Sequence, residues 1–77
     1  MNLDDRIKLT MAKVFKIDTK EINNDTTPHT IKSWDSLKHI HLVIALEKEF
    51  DVKFDQDEIA AMVSFTIIFA TIEAYLD

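Results

Sequence analysis

The chain has no glycine and a single proline, Pro28, in 77 residues, so little in it interrupts helix formation. Leu3, Ile7, Met11 and Val14, joined by Phe15, recur at steps of three and four, the spacing that puts side chains on one helix face. A first helix is expected from about Asn2 to Phe15. Asn2 is placed to cap it, and Asp4 and Asp5 are set favourably against its N-terminal dipole.

From Ile17 to Trp34 the period disappears, and Thr19, Asn23, Asn24, Asp25, Thr26, Thr27 and Pro28 are turn and loop formers. A loop this long in so small a domain is functional or is held by anchors, for which Ile17, Ile22, Ile31 and Trp34 are the candidates. The period returns at Asp35 or Ser36 and runs to about Phe50. Leu42, Val43, Leu46 and Phe50 share one arc of this second helix, and Leu37, Ile40 and Ile44 widen the arc to ~220°, more than a surface helix needs to cover one core. Some of these side chains must therefore face something other than the core, and Ser36 lies at the edge of the extra stripe, next to Ile40 and Val43.

Asp51 to Phe54 reads as a short extended link with Val52 and Phe54 pointing inward. Asp55 and Glu58 form a capping-box pair for a short third helix, roughly Gln56 to Met62. Ser64 caps a last helix in which Phe65, Ile68, Ile72 and Leu76 form an apolar ladder. The expected fold is all-α: a small four-helix bundle of three longer helices and a short third one, with a long first loop. Residues 1–77 form a single domain without repeats or low-complexity segments.

Composition removes several functions. With 47% hydrophobic residues the chain can fold unaided, and with no cysteine it has neither a disulfide nor a thiolate zinc site. The formal charge of −5 argues against nucleic acid, whose phosphates need clustered Lys and Arg, and suits basic protein surfaces. No run reaches membrane-spanning length and no signal-peptide pattern opens the chain, so a cytoplasmic protein without membrane insertion is expected.

Three histidines invite a metal or a catalytic site. His39 and His41 are two apart on a helix and point to different faces, and no cysteine or acidic pair completes a ligand set, so no metal site is expected. His29 is a lone loop histidine. Ser36 and His39 have the spacing of a nucleophile and its base, but a glycine-rich elbow and oxyanion donors are missing, so no catalytic residue is assigned. His39 is instead read as a partly buried polar residue near the helix start. Asp51, Asp55, Asp57 and Glu58 lack the central glycine of a calcium loop and read as a solvated acidic corner.

The run Trp34-Asp35-Ser36-Leu37 carries the most functional information. Asp and Ser are both preferred helix caps, so the pair by itself signals a helix start. The longer stretch IKSWDSLKHIHLVIALEKEFDVKF, however, resembles the prosthetic-group helix of acyl carrier proteins, with Leu42, Ala45, Leu46, Glu47, Glu49, Phe50 and Asp51 at that family's spacing. Phe15-Lys16-Ile17-Asp18, Asp57-Glu58-Ile59 with Met62, and Ile72-Glu73-Ala74-Tyr75-Leu76 are similar to family patterns but less diagnostic. The resemblance implies that Ser36, flanked by Asp35 and Leu37, carries 4′-phosphopantetheine from coenzyme A through a phosphodiester. The thiol of that arm would hold acyl or aminoacyl groups as thioesters, consistent with a chain that has no cysteine.

The partners so implied are a phosphopantetheinyl transferase and acyl-transferring or acyl-activating enzymes, met by a monomer. Partner docking is expected at Leu37 and Ile44, framed by Glu47 and Lys48. Ile40, Val43, Ile59, Met62 and Ile68 are either core or the lining of a cargo cleft between the second and third helices. Two departures stand out: Ser33 occupies a position that is commonly glycine in the family, and Lys38, His39 and His41 replace the acidic first half of the second helix. A dedicated lipid, polyketide or aminoacyl-transfer pathway is expected rather than housekeeping fatty-acid synthesis. The rival reading is a helical interaction module with no prosthetic group, in which Ser36 is a plain cap and the apolar face binds a partner helix.

Overall fold

The computed structural model describes residues 1–76. Its helices are α1 (Leu3–Phe15), α2 (Ser36–Phe50), the short α3 (Gln56–Ala61) and α4 (Phe65–Leu76), with one 3₁₀ turn, Thr19–Glu21, in the first loop. Each helix begins where a side chain satisfies a free amide of the first turn. Asn2 accepts the Asp5 amide at 2.8 Å, Asp35 that of Lys38 at 2.8 Å, Asp55 that of Glu58 at 2.8 Å and Ser64 that of Ile67 at 3.1 Å.

The ends of α1 and α2 show what a chain without glycine does at a helix terminus. Lys16 and Asp51 adopt left-handed backbone, with φ of 57° and 54°. A side chain there costs about 1–2 kcal/mol, although aspartate tolerates the position better than lysine does. Both termini are closed by an amide reaching back over the last turn, Ile17 to the Ala12 carbonyl and Val52 to that of Glu47, each at 3.1 Å. Ile17 and Val52 then pack against the core, half-buried.

Ile7, Met11 and Phe15 of α1, Leu42, Leu46 and Phe50 of α2, and Phe65, Ile68 and Ile72 of α4 build one core, completed by Met62 and Phe54. Arg6 seals the α1–α2 edge: it pairs with Glu49 at 3.1 Å and lies 4.5 Å above the Phe50 ring. The first loop is ordered. Ile22, Ile31 and Trp34 are buried in the core, and the buried Thr26 accepts the Asn23 amide at 2.8 Å. The start of α4 holds the loop from the other side, through Phe65 N–H to the Thr26 carbonyl at 3.0 Å and the Thr66 hydroxyl to the Asn24 carbonyl at 2.9 Å. Ser33, in place of the glycine of the resembled family, donates its hydroxyl to the Phe15 carbonyl at 3.1 Å and ties the loop to the end of α1.

Two expectations need adjustment. Helix α3 stops at Ala61, and Met62 follows as its C-cap. The apolar ladder of α4 has three buried rungs, because Leu76 is 49% exposed. Tyr75 packs the last turn in its stead, meeting the Phe54 ring edge-on at 5.5 Å and donating its hydroxyl to Glu58.

Candidate functional site

Ser36 is the first residue of α2 and is exposed. Asp35 already fills the cap, so the serine hydroxyl is not required for that task. Beyond Asp35 the first turn of α2 contains no acidic side chain, so a single carboxylate faces the partial positive charge of the helix N-terminus beside Ser36.

Trp34 and His39 hold this corner. The Trp34 indole N–H donates to His39 Nδ1 at 3.1 Å, and His39 Nε2 lies 2.8 Å from the Ile59 carbonyl. The first bond requires a lone pair on Nδ1 and the second a proton on Nε2, so the geometry selects one neutral tautomer. The two rings are nearly parallel, 17° apart with centroids separated by 6.1 Å, and Phe15 backs the indole at 5.0 Å. His39 is half-buried, as expected from its place near the helix start, and it joins the loop, α2 and α3. Between those three segments lies an open depression of about 390 Å³ lined by Pro28, Trp34, Asp35, Ser36, His39, Ala60 and Val63. Sequence reasoning did not single out Pro28, Ala60 or Val63 for this site. The one available signal was Val63, an exposed aliphatic outside any helical period.

The five residues considered for a cargo cleft are not gathered around that depression. Met62 and Ile68 are 0% exposed and Val43 is buried, so all three are core. Ile59 is half-buried, with its carbonyl taken by His39. Ile40 is 55% exposed and is not among the residues that line the depression.

At the expected docking positions, Leu37 is 62% and Ile44 55% exposed. Lys48 is also exposed. Glu47 does not frame the patch as a free carboxylate: its Oε2 accepts the Phe54 amide at 3.0 Å and its Oε1 lies 3.9 Å from Lys53 Nζ. The link after α2 needs an acceptor for the Phe54 amide, and Glu47 is the side chain that reaches it. His41 is exposed on α2, and no group of three His, Cys, Asp or Glu side chains converges for a metal ion among the described residues. In the acidic corner, the Glu58 carboxylate that accepts the Tyr75 hydroxyl, helped by desolvation and by Asp55 and Glu47, pushes the phenol up to about 12. Among the described residues no helix is long and apolar enough to cross a membrane. No protein-family model matches the chain, so the likeness to acyl carrier proteins rests on the motif residues themselves.

Proposed function

We propose that this protein is a carrier and not a catalyst: an acyl carrier protein whose Ser36 bears 4′-phosphopantetheine. The observation that carries this reading is an exposed serine directly after a filled helix cap, with open space on one side and, on the other, a helix N-terminus that faces no acid of its first turn beyond Asp35. In the modification, Ser36 Oγ attacks the phosphorus bearing the pantetheine unit of coenzyme A. The new O–P bond replaces the bond to the departing adenosine bisphosphate, and the hydroxyl proton goes to the base of the transferase. The helix N-terminus favours the resulting phosphodiester anion. The arm supplies the thiol for thioester chemistry that a chain without cysteine lacks.

The protein itself contributes the attachment point, a recognition surface and partial shelter at the mouth of the depression. In this reading it works as a cytoplasmic monomer, serving acyl-transferring or acyl-activating enzymes of a dedicated lipid, polyketide or aminoacyl-transfer pathway. The replacement of the family's acidic residues by Lys38, His39 and His41 supports the dedicated role. Incubation with a broad-specificity phosphopantetheinyl transferase and coenzyme A, read by intact mass, tests the assignment. One phosphopantetheine addition to the natural chain and none to Ser36→Ala is the expected result. No addition, or an addition that survives Ser36→Ala, refutes it and leaves the helical interaction module, which the aligned exposed Leu37, Ile40 and Ile44 favour.

A further inference from the structure

The outer face of α2 differs in sign from the chain as a whole. Leu37, Ile40 and Ile44, all more than half exposed, follow each other at steps of three and four and form an apolar stripe that begins beside Ser36. No carboxylate occurs from Ser36 to Leu46. Lys48 lies one turn beyond Ile44 on the same side, and Lys38 lies two turns before Ala45, on the side that meets α1. There Lys13 of α1 and Lys48 border a common groove with Thr10, Val14, Ala45 and Glu49.

Of the carboxylates that could neutralise this face, Asp51 at the end of α2 is free, and the two glutamates of the last turns are engaged. Glu47 accepts the Phe54 amide and Glu49 pairs with Arg6 at 3.1 Å. The ion pairs among the described residues are Arg6–Glu49, Lys8–Asp4 and Lys53–Glu47, and Lys13, Lys38 and Lys48 belong to none of them.

We infer that this face docks an acidic amphipathic helix of a partner protein, its apolar side chains over Leu37, Ile40 and Ile44 and its carboxylates over Lys13, Lys38 and Lys48. The net charge of −5 alone would favour a basic partner. At physiological salt, however, charges interact over only about 8 Å, so the side chains at the contact outweigh the distant remainder. A basic helix laid here would meet three unpaired lysines along the stripe and one free carboxylate, Asp51, at its far end beside Ile44 and Lys48. Exposed aliphatics grouped with unpaired charges of one sign define both the register and the sign of the partner. The inference rests on the carrier reading for the partner's role, an enzyme that modifies Ser36 or exchanges cargo there.

The test uses the Ser36→Ala chain, so that binding is measured independently of any modification. Two synthetic helical peptides serve as probes, each with the same leucine stripe, one flanked by glutamates and the other by lysines. Binding is followed by amide chemical shifts. The glutamate peptide is expected to shift Leu37, Ile40, Ile44 and Lys48. It should bind roughly tenfold more tightly than the lysine peptide, the order reached when three exposed charge pairs change sign. The combined Lys38→Glu and Lys48→Glu substitutions, at a half-buried and an exposed position of α2, should invert that preference. The inference is overturned if the lysine peptide binds this face as tightly, or if the glutamate peptide shifts other residues or none. Failure of Ser36 to accept phosphopantetheine would remove the carrier reading and leave the peptide result standing as a docking surface.

Discussion

Helices α2 and α3 both open on an aspartate in extended backbone, Asp35 and Asp55, each accepting the amide three residues on at 2.8 Å. At α3 that third residue is Glu58, whose carboxylate returns to the Asp55 amide at 2.9 Å, and Asp57 adds a second charge. At α2 the third residue is Lys38, and no acid follows in the first turn. Three carboxylates, Asp55, Asp57 and Glu58, face the N-terminus of α3, whereas Asp35 alone faces that of α2, which leaves the end beside Ser36 the more open of the two. The same capping residue thus serves a self-contained structural turn in one place and an entry that tolerates an added anion in the other.

The largest expected effect breaks the comparison outright. Adding Gln56→Ser to the Ser36→Ala chain sets a serine directly after the α3 cap, yet that chain should gain no prosthetic group in the mass assay. The carboxylates of Asp57 and Glu58 would oppose a phosphodiester there, and the α2 face would be missing. Transfer of the modification to position 56 would mean that a capped serine suffices.

The second effect concerns how the open end is held. His39→Leu leaves the Trp34 indole N–H and the Ile59 carbonyl without their partner, and should cost about 1–3 kcal/mol in urea unfolding. A loss within measurement error would show that water replaces the imidazole and that the corner is not fastened through it. The caps themselves come next. Asp35→Ala and Asp55→Ala should each cost about 1 kcal/mol, the latter less because the bond from the backbone amide of residue 55 to the Glu58 carboxylate survives the substitution, as read from thermal midpoints. Equal costs would mean that the return bond from Glu58 adds nothing.

The smallest effect lies at the closed end. The Glu58–Tyr75 bond raises the folded phenol from 10.0 to about 12. Its contribution is therefore complete below pH 10 and is lost as the pH rises from 10 to about 12, where the folded state holds a proton that the unfolded chain has released. Tyr75→Phe should flatten stability across that window and cost a small amount at neutral pH, where the bond is intact, the loss being limited because the pair is exposed and the ring stays against Phe54.

The helices and their starts were legible from the sequence because both depend on neighbours along the chain. Three- and four-residue spacing defines a helix face, and Asn2, Asp35, Asp55 and Ser64 cap through amides three residues away. The loop anchors Ile22, Ile31 and Trp34 were legible as apolar residues in an otherwise polar stretch. The position of Ser36 after a filled cap could likewise be read locally. Which part of the wide apolar arc of α2 is covered could not, because that depends on where α1, α3 and α4 pack. Spacing gives an angle around one helix and no information about what stands opposite.

Tertiary structure decided that Val43 is buried while Ile40 and Ile44 face out, and that Met62 and Ile68 fill the core instead of lining a cleft. It turned Glu47 inward to an amide of the following link, and it gave His39 two partners, five and twenty residues away in the chain. It assembled the depression beside Ser36 from Pro28, Ala60 and Val63, which belong to separate segments. In a chain without glycine, the core also holds Lys16 and Asp51 in left-handed backbone, because the buried faces of α1 and α2 outweigh the local cost at their ends.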